Sequence, residues 1–198
     1  MVLAIPRQVA VVAAVLLCAG CVELGGATAP SRFYTLVPLA EARQVPGDLG
    51  LGVGPIRSPA YLDRPQIVTR SGENQLELAS FDRWAEPLDE SVARVMASNL
   101  ARLLGTERVQ QHPWRDSRAV QLAVEIDLLR LDGRWGESVT LEAFWTVRGE
   151  GAMLQRSSRI AEPLGGRDYA ELAAAMSRAL ATLAREIADA ASAASLGS

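Results

Sequence analysis

The sequence predicts a single-domain α/β sandwich in which a mixed, largely antiparallel sheet is packed by two amphipathic helices. Three patterns carry that reading: a helical apolar stripe opening at Leu88, two long alternating runs around Val124 and Leu141, and a second helical stripe after Asp168. The chain has 198 residues, 49% hydrophobic and 22% charged. That is enough for one domain with a substantial core and too little for two.

In chain order, Phe33 to Val37 is a β-rich run ended by Pro38, and Leu49 to Ile56 is a second strand candidate. Gln66 to Arg70 and Gln75 to Ala79 flank the turn-forming cluster Ser71-Gly72-Glu73-Asn74, which predicts a hairpin or projecting β-arm. From Pro87, which fits the first position of a helix, the period changes. Leu88, Val92, Val95, Met96, Leu100, Leu103 and Leu104 share one helical face, with Glu86, Asp89 and Glu90 at the positive end. Glu90 and Arg94 are spaced to pair, and Gly105 supplies a left-handed stop.

Two alternating runs follow, Val120 to Leu128 and Val139 to Val147, with Asp132-Gly133 between them as the expected hairpin turn. Another strand is expected at about Met153 to Ile160. Asp168 is placed to cap the last helix with Glu171 reaching back, and Leu172, Met176, Leu180, Leu183 and Ile187 form its stripe. Residues 192–198 are expected to fray.

The first twenty residues read differently. Arg7 and Gln8 precede Val9 to Gly20, an uncharged and mostly apolar stretch. It is shorter than the roughly 20 residues a bilayer-spanning helix needs and has the form of a signal peptide. Leu17-Cys18-Ala19-Gly20-Cys21 resembles the lipobox of bacterial lipoproteins, although Cys18 stands where Leu is usual. The resemblance implies removal of residues 1–20 and a covalent diacylglyceryl and N-acyl lipid on Cys21, the only cofactor-like group expected. The competing reading is a secreted protein cut near Ala19-Gly20. Residues 21–31, with Gly25, Gly26 and Pro30, read as a tether, and 32–191 as the periplasmic domain. The mature chain then keeps no other cysteine and has neither disulfide nor thiol chemistry.

All 20 basic residues are Arg, and they are interleaved with 23 acids. Without residues 1–20, where Arg7 is the sole charge, the formal net charge falls from −3 to −4, and no basic patch emerges to favour nucleic acid. His112 is the single histidine and lies in the connection-like Gln111-His112-Pro113-Trp114. The sequence has no His/Cys cluster for a metal and no Gly-rich phosphate loop. Glu125, Asp127 and Glu142 fall on polar phases of strands, where a solvated face is expected. The reading is nonenzymatic, without catalytic, cofactor-binding or metal residues.

The most distinctive stretches are Tyr61-Leu62-Asp63-Arg64-Pro65-Gln66, continuing to Arg70, and Arg83-Trp84-Ala85-Glu86-Pro87-Leu88. Together with Phe33-Tyr34-Thr35-Leu36, Val53-Gly54-Pro55, Asn99-Leu100, Leu104-Gly105, Pro113-Trp114 and the strand from Val120 to Ile126, they resemble the PqiC (YmbA-like) lipoproteins. That family comprises auxiliary outer-membrane components of ABC-type and MCE-type lipid transport systems. The resemblance implies a domain lipid-anchored at the periplasmic face of the outer membrane, a periplasm-spanning MCE protein as partner, and a homo-oligomeric ring. Val22, rather than Asp, after Cys21 favours outer-membrane sorting. The alternatives are an envelope assembly or stress lipoprotein that binds peptidoglycan or other envelope proteins and, more remotely, a hydrolase built around His112.

Tyr61, Leu62, Asp63, Arg64, Pro65 and Gln66 form a candidate partner or oligomer interface, because Tyr and Arg are common hot-spot residues and Pro65 stiffens the backbone. The competing reading buries Tyr61 and Leu62 in the core and gives Arg64 an internal salt bridge. Arg83, Trp84, Glu86, Pro87 and Leu88 form a structural motif, in which Trp84 and Leu88 fix the entry of the first helix.

Overall fold

The computed structural model describes residues 29–42, 48–149 and 151–195. The expected leader, Cys21 and most of the expected tether lie outside them, as do residues 196–198 of the expected tail. Eight strands among the described residues form one mixed sheet. They are β1 (Arg32–Tyr34), β2 (Leu51–Arg57), β3 (Gln66–Gly72), β4 (Gln75–Trp84), β5 (Val109–Gln111), β6 (Leu122–Gly133), β7 (Ser138–Gly149) and β8 (Ala152–Pro163). Two helices, α1 (Leu88–Leu104) and α2 (Tyr169–Ser195), lie side by side on the sheet, α1 against β2 and β5, α2 against β7 and β8.

The ladders β3/β4, β6/β7 and β7/β8 are antiparallel, and β1/β4, β2/β5, β2/β6 and β3/β6 are parallel. The expected two-layer α/β fold is therefore the observed one. The strand β6 organises it. One edge pairs with β7 along nearly its whole length, while the other is shared by β2, opposite Leu122–Asp127, and β3, which meets it at Thr69↔Gly133. A register shift between Leu128 and Arg130 separates the two halves.

Alternation explains the layering. Leu122, Val124, Ile126 and Leu128 are buried, whereas Ala123, Glu125 and Asp127 between them are partly exposed. The helices present matching stripes: Leu88, Val92, Val95, Met96 and Leu100 from α1, and Leu172, Met176, Leu180, Leu183 and Ile187 from α2. Small residues of α2, Ala175, Ala179 and Ala184, are also buried and allow close approach. Gly105 ends α1 at φ 67°, as the sequence predicts, and Asp168 Oδ1 accepts the Ala170 N–H at 2.9 Å to start α2.

Several local expectations are corrected. Pro87 sits one position ahead of α1 rather than within it. Arg94 pairs with Glu86, not Glu90, because the guanidinium turns toward Thr35 and the Leu36 carbonyl, beside which Glu86 lies. Glu171 does not reach back to the helix start but binds Arg178 at 2.8 Å. The Asp132-Gly133 pair is not the hairpin turn: β6 runs through both, and the chain reverses over residues 134–137, where Gly136 takes φ 74°. Strand β1 stops three residues before the expected Val37, and α2 continues to Ser195. Val109–Gln111 adds the unexpected strand β5 before the Pro113-Trp114 connection. There the Trp114 ring lies against the backbone of Gly52, where a Cβ would stand 2.8 Å from Trp114 Cε2.

Trp84 is 5% exposed and Leu88 3%, so both members of the expected helix-entry motif are core residues. Trp84→Ala should lower stability by roughly 3–5 kcal/mol, as large-to-small core changes do. Denaturant unfolding checks this, and an unchanged midpoint would deny Trp84 its role in the core.

Candidate functional site

The distinctive sequence segments converge at one end of the sheet. Phe33, Arg83 and Gln66 stand in one row across β1, β4 and β3, and Tyr34 is paired with Trp84. The Trp84 N–H donates to the Pro65 carbonyl and the Ala85 N–H to the Tyr34 carbonyl, each at 2.8 Å. Three chain segments remote in sequence are thus stitched into one junction. Beneath it the buried Asp82 accepts from the Tyr34 hydroxyl at 2.7 Å and pairs with Arg32 at 2.8 Å. Burial, and then the bond to Asp82, pushes the Tyr34 phenol above its ordinary range.

The next residues, Thr35 to Ala40, cross the groove between the helices as a strap. Ser177 Oγ accepts the Val37 N–H at 3.1 Å, and Asn99 Oδ1 accepts the N–H groups of Leu39 and Ala40, both at 3.0 Å. Arg94 donates to Leu36 O at 3.2 Å. Its hydrogen bond holds the Glu86 carboxyl below the ordinary range, against a smaller opposing effect of burial.

The structure divides the candidate interface. Tyr61 is half-buried, Leu62 is buried, and Asp63 and Pro65 are exposed, while Arg64 and Gln66 are intermediate. The core reading thus holds for Tyr61 and Leu62. It does not hold for Arg64, which makes no ion pair among the described residues and whose Nε is buried without a hydrogen-bond partner. Of the helix-entry residues, Arg83 is partly exposed, Trp84 and Leu88 are core, Pro87 is exposed and Glu86 is tied to Arg94.

Tyr61 anchors its segment to a carboxylate that sequence reasoning assigned to a turn. Its hydroxyl donates to Asp132 Oδ2 at 3.0 Å, and Asp132, 0% exposed, also receives Arg70 (Nη2 3.0 Å) and Arg130 (Nη2 2.8 Å). Burial alone would raise the Asp132 pKa, but hydrogen bonds from Arg70 and Arg130 hold it below the carboxylate range. Burial and the Asp132 charge push the Tyr61 phenol up to about 12. The signal available in the sequence was Arg130 two residues before Asp132, which places both side chains on one strand face.

These groups are paired with one another for structure and offer no nucleophile beside a base. The ring of His112 packs edge-on against Trp114 with centroids 5.8 Å apart and makes no hydrogen bond among the described residues. Among those residues no group of three His, Cys, Asp or Glu side chains is placed to hold a metal, and no helix is long and apolar enough to cross a membrane.

Comparison with known proteins places this arrangement in context. A family model described as ABC-type transport auxiliary lipoprotein component matches residues 34–188. The chain is 24% identical over 163 residues to the intermembrane transport lipoprotein PqiC of Escherichia coli (strain K12), covering 79% of this chain and 86% of the relative, and to the Shigella flexneri protein to the same extent. A crystal structure of an uncharacterized protein superposes with TM-score 0.69 at 22% identity, covering 81% of this chain and 98% of that one. One from Xanthomonas campestris gives 0.66 at 17%, covering 80% and 93%. At those identities the structural likeness shows the shared fold.

The Asp132 cluster gives a pH prediction. The carboxyl titrates lower in the native than in the unfolded chain, where an Asp has a pKa of about 3.9. Its contribution is therefore complete above the unfolded value and is lost as pH falls through the native one. Asp132→Asn, which leaves Arg70 and Arg130 without their counter-charge, should cost roughly 3–5 kcal/mol at neutral pH and flatten the acid limb of the stability profile. Urea unfolding across pH checks both effects; parallel wild-type and variant profiles would remove Asp132 from the linkage.

Proposed function

The chain belongs to the family of ABC-type transport auxiliary lipoprotein components, and on that premise we propose that it docks a periplasm-spanning MCE-domain protein at the outer membrane in an intermembrane lipid transport system. In this reading residues 1–20 are removed, Cys21 carries the diacylglyceryl and N-acyl lipid, residues 21–31 tether the domain, and copies of it assemble into a ring. The protein acts without catalysis. The likeness to intermembrane transport lipoproteins carries the proposal, and the family match extends from Tyr34 at the junction into α2.

The exposed part of residues 61–66 is the surface proposed to meet the partner or the neighbouring subunit. Tyr61 and Leu62 are fixed inward, by Asp132 and by the core, so the backbone that presents Asp63, Arg64 and Pro65 is held before any partner arrives. Preorganisation of this kind reduces the ordering cost of association. The Arg64 guanidinium makes no hydrogen bond or ion pair among the described residues and, apart from its buried Nε, has donor capacity left for an incoming carboxylate or carbonyl.

Three outcomes are expected. Cys21→Ala should abolish palmitate labelling and membrane retention; normal labelling of that variant would remove Cys21 as the lipid site. A photo-crosslinker at Asp63 should capture an MCE-domain protein or a second copy in cells, and capture of peptidoglycan-binding or assembly proteins instead would favour an envelope-assembly role. Arg64→Glu should melt like wild type yet lose oligomeric size or partner pull-down. A variant that keeps both would exclude Arg64 from the interface.

A further inference from the structure

We propose that the outer surface of the β1–β4 end, formed by Phe33, Phe81 and Arg83, rests on the lipid surface that holds the anchor. The inference depends on Cys21 being acylated. Phe33 is 64% exposed and Phe81 37%. Alternation along β4 places Phe81 and Arg83 opposite the buried Asp82 and Trp84, and register places Phe33 directly beside Arg83. The three side chains therefore share one sheet face. Arg83 has no ion pair among the described residues, unlike Arg32 on the other face, which is bound to Asp82.

Position in the chain selects a membrane as the occupant. Phe33 lies twelve residues after Cys21, and twelve residues span at most about 43 Å even when fully extended. The aromatic patch begins in the first strand of the domain and cannot move farther than that from the acyl chains. Aromatic rings beside an unpaired arginine suit a bilayer interface, where the rings enter the headgroup boundary and the guanidinium meets phosphate. A chain of net charge −4 without residues 1–20 has little general attraction for an anionic surface, so a local cation among aromatics has a specific effect.

Other exposed apolar side chains lack this combination. Phe144 stands between Asp127 and Ser157 in register, and Met153 is paired with Arg148, which binds Glu125. Such isolated cases are ordinary surface features.

The acylated full-length protein tests the inference. With Cys21 blocked as a thioether and Cys18 removed with the leader, wild type takes up no thiol dye, and Phe33→Cys, Phe81→Cys and Glu107→Cys each carry one environment-sensitive label. Glu107 is exposed beside β5, at the other end of the sheet path. The proteins are reconstituted into vesicles of equal parts phosphatidylethanolamine and phosphatidylglycerol, with and without headgroup-proximal doxyl lipid as quencher. Labels at positions 33 and 81 should shift to the blue and lose most of their emission with doxyl lipid, and the label at 107 should do neither. Bright, unshifted labels at 33 and 81 in protein that floats with the vesicles would overturn the inference and leave the anchor reading standing. Labels shifted to the blue equally in the detergent-solubilised oligomer, and not quenched by doxyl lipid, would assign the patch to a second copy and overturn it too. Dye uptake by wild type, with failure to float, would sink both readings.

Discussion

Asp132 is a carboxylate without access to water, and the arrangement of half the sheet depends on keeping it satisfied. It sits one residue before the end of β6, where that strand has left β2 and reaches β3. Arg70 comes from β3, Arg130 from β6 itself and Tyr61 from the segment that leads into β3. An unpaired carboxylate at this depth would cost several kcal/mol. Those three partners reach it with β3 alongside the end of β6 and residues 61–66 folded over it. The single backbone pairing between β3 and β6, Thr69↔Gly133, is thus reinforced by side chains. The β3–β4 hairpin, and β1 beyond it, inherit their positions from that clamp.

The same constraint explains which parts of the fold were legible in the sequence. Both helices were, because each buries one stripe against a sheet and the apolar period survives unchanged from residue 88 to 104 and from 172 to 187. Strands β6 and β7 were legible for the corresponding reason, one face under helices and the other in water. The error came where a polar pair entered the core. Asp-Gly is a strong turn signal, and only partners 62 and 71 residues away in the chain, Arg70 and Tyr61, turn it into the end of a strand. Strand β1 was legible as the β-rich run from Phe33, though pairing with β4 limits it to three residues, whereas the equally short β5 exists through parallel pairing with β2 and nothing local distinguishes it from a loop. Arg94 teaches a similar lesson: the i,i+4 rule ranks Glu90 first, but hydrogen bonds to the strap orient the guanidinium toward Glu86.

For the candidate site, the sequence identified the segments and left their relation hidden. Residues 61–66 and 83–88 stand out in composition, yet their meeting depends on the β3–β4 hairpin and the backbone bond from Trp84 to Pro65. The split within residues 61–66 was similarly invisible, since Tyr61 and Arg64 are both plausible hot-spot residues by type. The buried Asp132 pulls Tyr61 inward. No carboxylate among the described residues does the same for Arg64. The proposed lipid site, Cys21, is a different kind of candidate, suggested by the local sequence Leu17-Cys18-Ala19-Gly20-Cys21 alone.

The strap from Thr35 to Ala40 joins these observations mechanically. Backbone groups in such a crossing segment have no neighbouring strand to satisfy them, and the helices supply side chains instead: Asn99 and Ser177 accept N–H groups, while Arg94 and Arg102 donate to carbonyls. The polar residues Asn99 and Ser177 are fully buried within otherwise apolar stripes, and each accepts from the strap, Asn99 through Oδ1 while its Nδ2 is buried without a partner. Their burial marks where the strap crosses the helices. Because the strap is locked to both helices and β1 is locked to β4, a pull on the chain at residue 32 is resisted by the whole two-layer core rather than by a short edge strand alone. A domain held to a membrane through its N-terminal end, as proposed for this chain, would need that kind of attachment. Here it is built into the residues that also shape the junction beside the proposed partner surface.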